Sequence, residues 1–182
     1  MSSGRGGGHV LTPATLVGGL DLEYSIHTVP LAQRDDVLAV VSMLSKEEAK
    51  DLKVVATCQR AREDLVTVGE QVEREKDRLL LVFTSWAKAL CASLDKDGHW
   101  CDYIDPCSGL LMVHKESQAV YDEVAALSVL RGYKCSNAGC CKVVLHPNWG
   151  SFIYPATFLT TAPHDVLLRH IGAIEAKDHV KG

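Results

Sequence analysis

A chain of 182 residues with 47% apolar and 23% charged side chains has the length of one domain and the make-up of a globular protein, which excludes a disordered or fibrous chain and a large multi-site enzyme. Nineteen Lys and Arg against 23 Asp and Glu leave a net charge of -4 without a basic cluster, so no nucleic-acid partner is expected. The longest apolar runs, such as Val37 to Val41 and Leu79 to Phe83, fall far short of the ~20 residues that cross a bilayer, so no membrane span is expected either.

Residues 1–20 hold six of the fourteen glycines, one arginine and no acid, and read as a disordered leader. The globular pattern runs over residues 21–174, and residues 175–182 read as a flexible tail. Tyr24 to Val29 alternates like a short strand, and Arg34 to Leu44 repeats Val37, Leu38, Val41 and Leu44 at helical spacing. Lys53 to Cys58 and Leu65 to Gly69 are β-branched runs that predict a hairpin. Glu70 to Leu94 is the clearest helix: acids crowd its first turns, Glu70 can pair with Arg74, and Leu79, Phe83, Trp86, Leu90 and Leu94 form one apolar stripe. Trp86 and Cys91 lie on or beside this stripe and read as core packing.

Strands are predicted at His99 to Ile104 and Leu110 to Val113, around a tight turn at Asp105 to Gly109. Asp102 and Asp105 flank that turn and read as a strand-end residue and a turn cap rather than as a catalytic pair. A helix follows at Ala119 to Leu130, ended by Gly132. Lys134 to Ala138 reads as a loop. Cys140 to His146 and Phe152 to Leu159 read as a hairpin closed by Pro147 to Gly150, with Pro155 placing the second strand at an edge or bulge. A helix from Asp165 to Ile171 closes the domain. Helices interleaved with hairpins predict an α+β fold around a largely antiparallel sheet flanked by helices.

Seven cysteines, an odd number, stand at spacings that match no zinc-finger or disulfide framework, which favours free thiols in a reducing compartment. Zinc bound by Cys135, Cys140 and Cys141 with His99, Cys101 or His146 is disfavoured because no CxxC pair is present. The tetrapeptide Gly139-Cys140-Cys141-Lys142 is the most unusual local feature. In a strand, consecutive side chains face opposite ways, so Cys141 would join Val143 and Leu145 in an apolar set while Cys140 shares a face with Lys142 and His146. Cys140 is then the exposed thiol, and a neighbouring ammonium favours its thiolate, the form that binds metals. On residues alone, inert packing of both thiols stays open. A Cys140–His146 nucleophile pair is excluded, since six residues of strand span roughly 20 Å.

Glu73-Arg74-Glu75, Trp100 to Pro106, Ser108-Gly109-Leu110, Gly139 to Val143 and Trp149-Gly150 together resemble the cblD-type family of cobalamin-trafficking proteins, the methylmalonic aciduria and homocystinuria type D family. Weaker similarity extends back to Tyr24. The resemblance implies a nitroreductase-like sandwich that has lost its flavin, and no enzymatic activity. It also implies an adaptor that docks on a cblC-type cobalamin chaperone and helps direct the cofactor to cytosolic methionine synthase and mitochondrial methylmalonyl-CoA mutase. Cys140 matches the family's sulfur donor to the cobalt of partner-bound cobalamin, a cofactor this chain is not expected to bind alone. Asn137, Gly139 and Lys142 become partner-facing residues, and Cys107 inherits no role. The family's better-known members carry a long N-terminal extension with a mitochondrial leader, so the short glycine-rich start makes the cytoplasm the primary expected location and the mitochondrion the secondary one. The competing readings are a flavin nitroreductase-like oxidoreductase and a thiol redox or zinc-binding module.

Overall fold

The computed structural model describes residues 9–179, with side chains through residue 175. Its elements in chain order are β1 (Val10–Leu16), β2 (Leu22–Thr28), α1 (Arg34–Val40), β3 (Lys53–Arg60), α2 (Glu70–Lys96), β4 (Cys101–Tyr103), α3 (Glu123–Arg131), β5 (Lys134–Ala138), β6 (Cys141–Leu145), β7 (Ile153–Thr160) and α4 (His164–His179). Five strands form one sheet in the order β1-β2-β3-β7-β4, with every neighbour antiparallel, and β5 pairs with β6 in a separate two-stranded ribbon. The architecture is therefore α+β, as expected.

Both faces of the sheet are covered. On one face, Leu22, Tyr24, Ile26, Val55 and Phe158 pack against Phe83, Trp86, Leu90 and Leu94 of α2 and Leu167 and Ile171 of α4. The predicted stripe of α2 is thus its buried face, and the Glu70–Arg74 ion pair forms on the exposed one. On the other face, Val54, Ala56, Cys58, Ile153 and Leu159 meet Val37 and Val40 of α1 and Ala126, Leu127 and Leu130 of α3. Gly132 ends α3 as predicted.

Several predicted elements are corrected. Expected in a disordered leader, Val10–Leu16 instead pairs with β2, and Leu11 and Val17 add to the first core; residues 1–8 lie outside the described residues. The tail expected from residue 175 is helical through His179, while residues 180–182 lie outside the described residues. Leu65 to Gly69 forms no strand: Val68 is 97% exposed and the segment turns on Asp64, so its β-branched side chains have nothing to pack on. Leu110 to Val113 makes a single bridge, Leu111 to Ile104. Lys134 to Ala138 is a strand, not a loop.

The largest correction concerns the last hairpin. β6 pairs with β5, and β7 lies inside the main sheet between β3 and β4. Pro147 to Gly150 does turn tightly, with His146 and Gly150 exchanging backbone hydrogen bonds at 2.9 Å, but the chains leaving that turn diverge into different sheets. β7 is apolar on both faces and gains more burial between two strands than at an edge. Pro155 keeps part of its edge character: β4 pairs only with Phe158, Leu159 and Thr160, so at Pro155 the strand has a ladder neighbour on one side, opposite Cys58.

The second face of β2 is polar, carrying half-buried Glu23 and buried Ser25 and His27 in register with Cys58, Ala56 and Val54. His27 is fully buried, with Nε2 2.8 Å from the Ser25 hydroxyl. Burial, reinforced by Arg131, lowers its pKa from 6.5 to about 4. Glu123, at the start of α3, is pushed the other way for a carboxyl, up to about 7, by burial that outweighs its hydrogen bond from Thr157.

Truncating Phe83 to Ala should leave a cavity under α2 and cost about 3–5 kcal/mol, read as a lower denaturant midpoint with an unchanged slope. A second expectation concerns pH. Because the folded pKa of His27 lies below its unfolded one, its contribution is full above about 6.5 and is lost as pH falls toward 4, when only the unfolded chain takes up the proton. Glu123 acts oppositely, losing stability as pH rises from 4.5 toward 7. Subtracting a His27→Gln variant cancels the Glu123 effect, so the stability difference between wild type and variant should shrink from pH 7 to pH 4. A difference that does not change with pH would show that His27 is not held neutral.

Candidate functional site

β5 ends at Ala138 and β6 begins at Cys141, so Gly139 and Cys140 form a two-residue hairpin turn. Gly139 has φ +62 and no described non-glycine residue has a positive φ, which is the pattern of a type II′ turn, the geometry that matches the twist of paired strands. A side chain at Gly139 would meet open space but would be strained by that φ. Cys140 occupies the second turn position and is exposed. Asn137 and Lys142 are paired in register one rung below the Ala138–Cys141 pair, so the four residues singled out from the sequence stand together at the ribbon tip.

The reason for the exposure of Cys140 differs from the expected one. Cys141 is exposed as well, and the ribbon buries Val144 and His146 rather than Val143 and Leu145. His146 is therefore not a face-mate of Cys140 near the tip but a buried residue at the ribbon base. The two tip sulfurs are 3.9 Å apart, and the Cys141 thiol is pushed up chiefly by its hydrogen bond to the Cys140 sulfur and further by the electrostatic effect of that neighbour. None of the four main clefts among the described residues is lined by these tip side chains.

The base is held by a group of residues that spacing could not reveal. Tyr133 precedes β5 and His146 follows β6, and both reach one carboxylate oxygen of Glu23 on β2: Tyr133 Oη donates to it at 3.0 Å and His146 Nε2 lies at 2.8 Å. The backbone N–H groups of Asn148 and Trp149 donate to His146 Nδ1, which assigns the ring proton to Nε2 and makes Glu23 its acceptor. Trp149 stacks on the imidazole at 4.1 Å and 11°. Arg131 donates to Tyr133 Oη at 2.6 Å and lies 3.6 Å from Glu23. Val144 adds an apolar contact in the core against α3. The ribbon thus has a seated base and a bare apex.

Asp102 and Asp105 organise the loop after β4. Asp102 is fully buried and accepts hydrogen bonds from the backbone of Tyr103, Met112, Val113 and His114 and from His114 Nδ1, at 2.7–3.1 Å. Asp105 accepts from the Cys107 backbone and the Ser108 hydroxyl. Gly109 is required there: a Cβ would lie 2.6 Å from Val120 Cγ1 and 3.0 Å from the Tyr121 carbonyl, at φ +72. Both carboxylates therefore do the structural work expected of a strand end and a turn cap.

Fold and site define an antiparallel α+β sandwich that carries an accessible thiol at the tip of a separately anchored hairpin. The family model of the methylmalonic aciduria and homocystinuria type D protein matches residues 11–170, and the chain belongs to that family. Among its relatives are the cobalamin trafficking protein CblD of Gallus gallus, Rattus norvegicus and Homo sapiens, each 29% identical over 144 residues, which cover 79% of this chain and 48% of theirs. The chain spans about half the length of the curated relatives it matches.

Replacing Glu23 with Ala removes the shared acceptor at the ribbon base. Hydrogen exchange should then accelerate at the β5 and β6 amides while β3 and β7 keep their protection, with a loss of about 1–3 kcal/mol in global stability. Uniform acceleration across the sheet would mean that Glu23 supports the whole fold rather than the ribbon.

Proposed function

We propose that this chain is a non-enzymatic adaptor in intracellular cobalamin trafficking, which docks on a cblC-type chaperone and offers the Cys140 thiolate to the cobalt of cobalamin held by that partner. The observation that carries this reading is the position of Cys140 in the two-residue turn of a protruding ribbon whose base is tied to the sheet. Family membership and the cobalamin-trafficking role named for the relatives support the pathway.

The chemistry follows from reach and softness. Cys140 at the narrow hairpin tip would supply a sulfur ligand to a metal held by the partner without any cavity on this chain. A thiolate is a soft donor suited to late first-row metals, whereas a serine hydroxyl stays protonated near neutral pH. The tight turn and the Glu23 seat reduce the ordering needed on binding. Asn137, Gly139 and Lys142 would face the partner beside the thiol. In this reading the cofactor is held by the partner and not by this chain alone, the nitroreductase-like sandwich carries no flavin, and the adaptor serves methionine synthase and methylmalonyl-CoA mutase from the cytoplasm, with the mitochondrion as a second site.

The two adjacent cysteines provide the test. Both are exposed, so Cys140→Ser and Cys141→Ser should each leave stability within about 0.5 kcal/mol of wild type. Mixed with a cobalamin-loaded cblC-type partner, the Cys140→Ser protein should lose the sulfur-ligated cobalt spectrum, and the Cys141→Ser protein should keep it. Loss with Cys141→Ser and retention with Cys140→Ser would move the ligand to Cys141 and overturn the assignment.

A further inference from the structure

Away from the ribbon, Cys91 near the end of α2 and Cys101 at the start of β4 bring their sulfur atoms to 2.8 Å. The chain reverses between them at Asp97 and Gly98, and each thiol also approaches the other residue's backbone carbonyl, at 3.6 and 3.4 Å. Their separation is already near that of a disulfide, about 2.05 Å. Cys101 is 4% exposed within the first core, Cys91 is partly exposed, and both line a cleft of about 340 Å³ together with Asp95, His99, Trp100 and His114.

The remaining described thiols are placed differently. Cys58 is buried in the second core, and Cys107 and Cys135 are exposed without a second sulfur in contact. Cys140 and Cys141 are adjacent in sequence, where a bridge would close a strained ring through the intervening peptide.

We propose that Cys91 and Cys101 form a redox site that reacts with low-molecular-weight disulfides, with Cys91 attacking and Cys101 resolving, to leave an intramolecular disulfide that ties α2 to β4. In the first step the Cys91 thiolate attacks one sulfur of R–S–S–R, that bond breaks, and a thiolate RS⁻ leaves and takes up the proton that Cys91 released. In the second step Cys101 gives up its proton, its sulfur attacks the Cys91 sulfur of the mixed disulfide, and the second RS⁻ leaves and takes up that proton. Two protein thiols are oxidised and one small disulfide is reduced to two thiols.

The division of roles follows from access and from the hydrogen bond between the sulfurs. That bond lowers the pKa of Cys91 despite its partial burial and raises that of Cys101, so the more exposed thiol is the easier to ionise. This site is independent of the adaptor reading, because it uses neither the ribbon nor cobalamin.

The test uses the full chain, folded, with glutathione disulfide as the probe. After incubation, free thiols are capped with iodoacetamide and the protein is digested without reduction for mass spectrometry. The expected result is a linked peptide pair joining Cys91 to Cys101, lost on treatment with dithiothreitol. Cys101→Ser should stop at a glutathione adduct on Cys91, and Cys91→Ser should leave Cys101 unmodified. The proposal is overturned if Cys91 and Cys101 in the wild-type chain stay fully alkylatable while Cys107 or Cys140 takes up glutathione, or if the link forms only in chain unfolded beforehand. The wild-type result decides the matter even if a variant does not fold.

Discussion

Lys53 to Arg60 and Ile153 to Thr160 meet in an unbroken antiparallel register, from Lys53 opposite Thr160 to Arg60 opposite Ile153, and both strands are buried almost throughout. The Thr57 hydroxyl donates to the Ala156 carbonyl at 2.8 Å across a sequence separation of 99 residues. Closing so long a loop costs entropy, but that cost grows only logarithmically with length, whereas burial accrues with every apolar residue of two strands covered on both faces. Everything between them must then be laid over the sheet. Helix α2 and β4 return along one face and margin, and α3 and the ribbon fold onto the other face.

The ribbon depends on this ladder at one remove. β2 pairs with β3 along its whole length, which sets Glu23 beside Cys58 on the second face, where the end of α3 delivers Arg131, the link to β5 delivers Tyr133 and the turn after β6 delivers His146. A carboxylate largely covered there would be costly alone and is compensated because two hydrogen-bond donors, Tyr133 and His146, converge on it and the Arg131 guanidinium lies 3.6 Å away. One end of the ribbon is thereby fixed to the sheet while the other projects with its thiol uncovered. In the adaptor reading proposed above, ordering at the base would lower the entropy lost at the tip on docking.

Local chemistry was readable wherever neighbours in sequence decide the outcome. The apolar stripe of α2, its acidic first turn, the Gly132 stop and the Asp105–Gly109 turn all follow from side chains within a few residues of one another. The prominence of Cys140 was also readable, although by an argument that picked the wrong face. Val143, Val144 and Leu145 are all apolar, so alternation alone could not say which side of the ribbon would be covered, and α3 covers Val144. The β-branched Val66, Thr67 and Val68 misled for the opposite reason: strand propensity is a preference for a packed, pleated surface, and no surface is there.

By itself the sequence determined that the chain forms an α+β domain with one long helix under a sheet, that its motifs match one family, and that its distinctive thiol lies beside a glycine able to adopt a positive φ. Those properties rest on backbone propensity, short-range periodicity and side-chain type, which neighbouring residues carry with them. Only the tertiary structure decided that β7 pairs with β3 instead of β6, that Val10–Leu16 adds a strand, that Glu23 seats the ribbon and that Cys91 meets Cys101. Each of these joins separate elements of the fold, and which elements meet is settled by the competition for burial over the whole chain, a quantity that no local window contains.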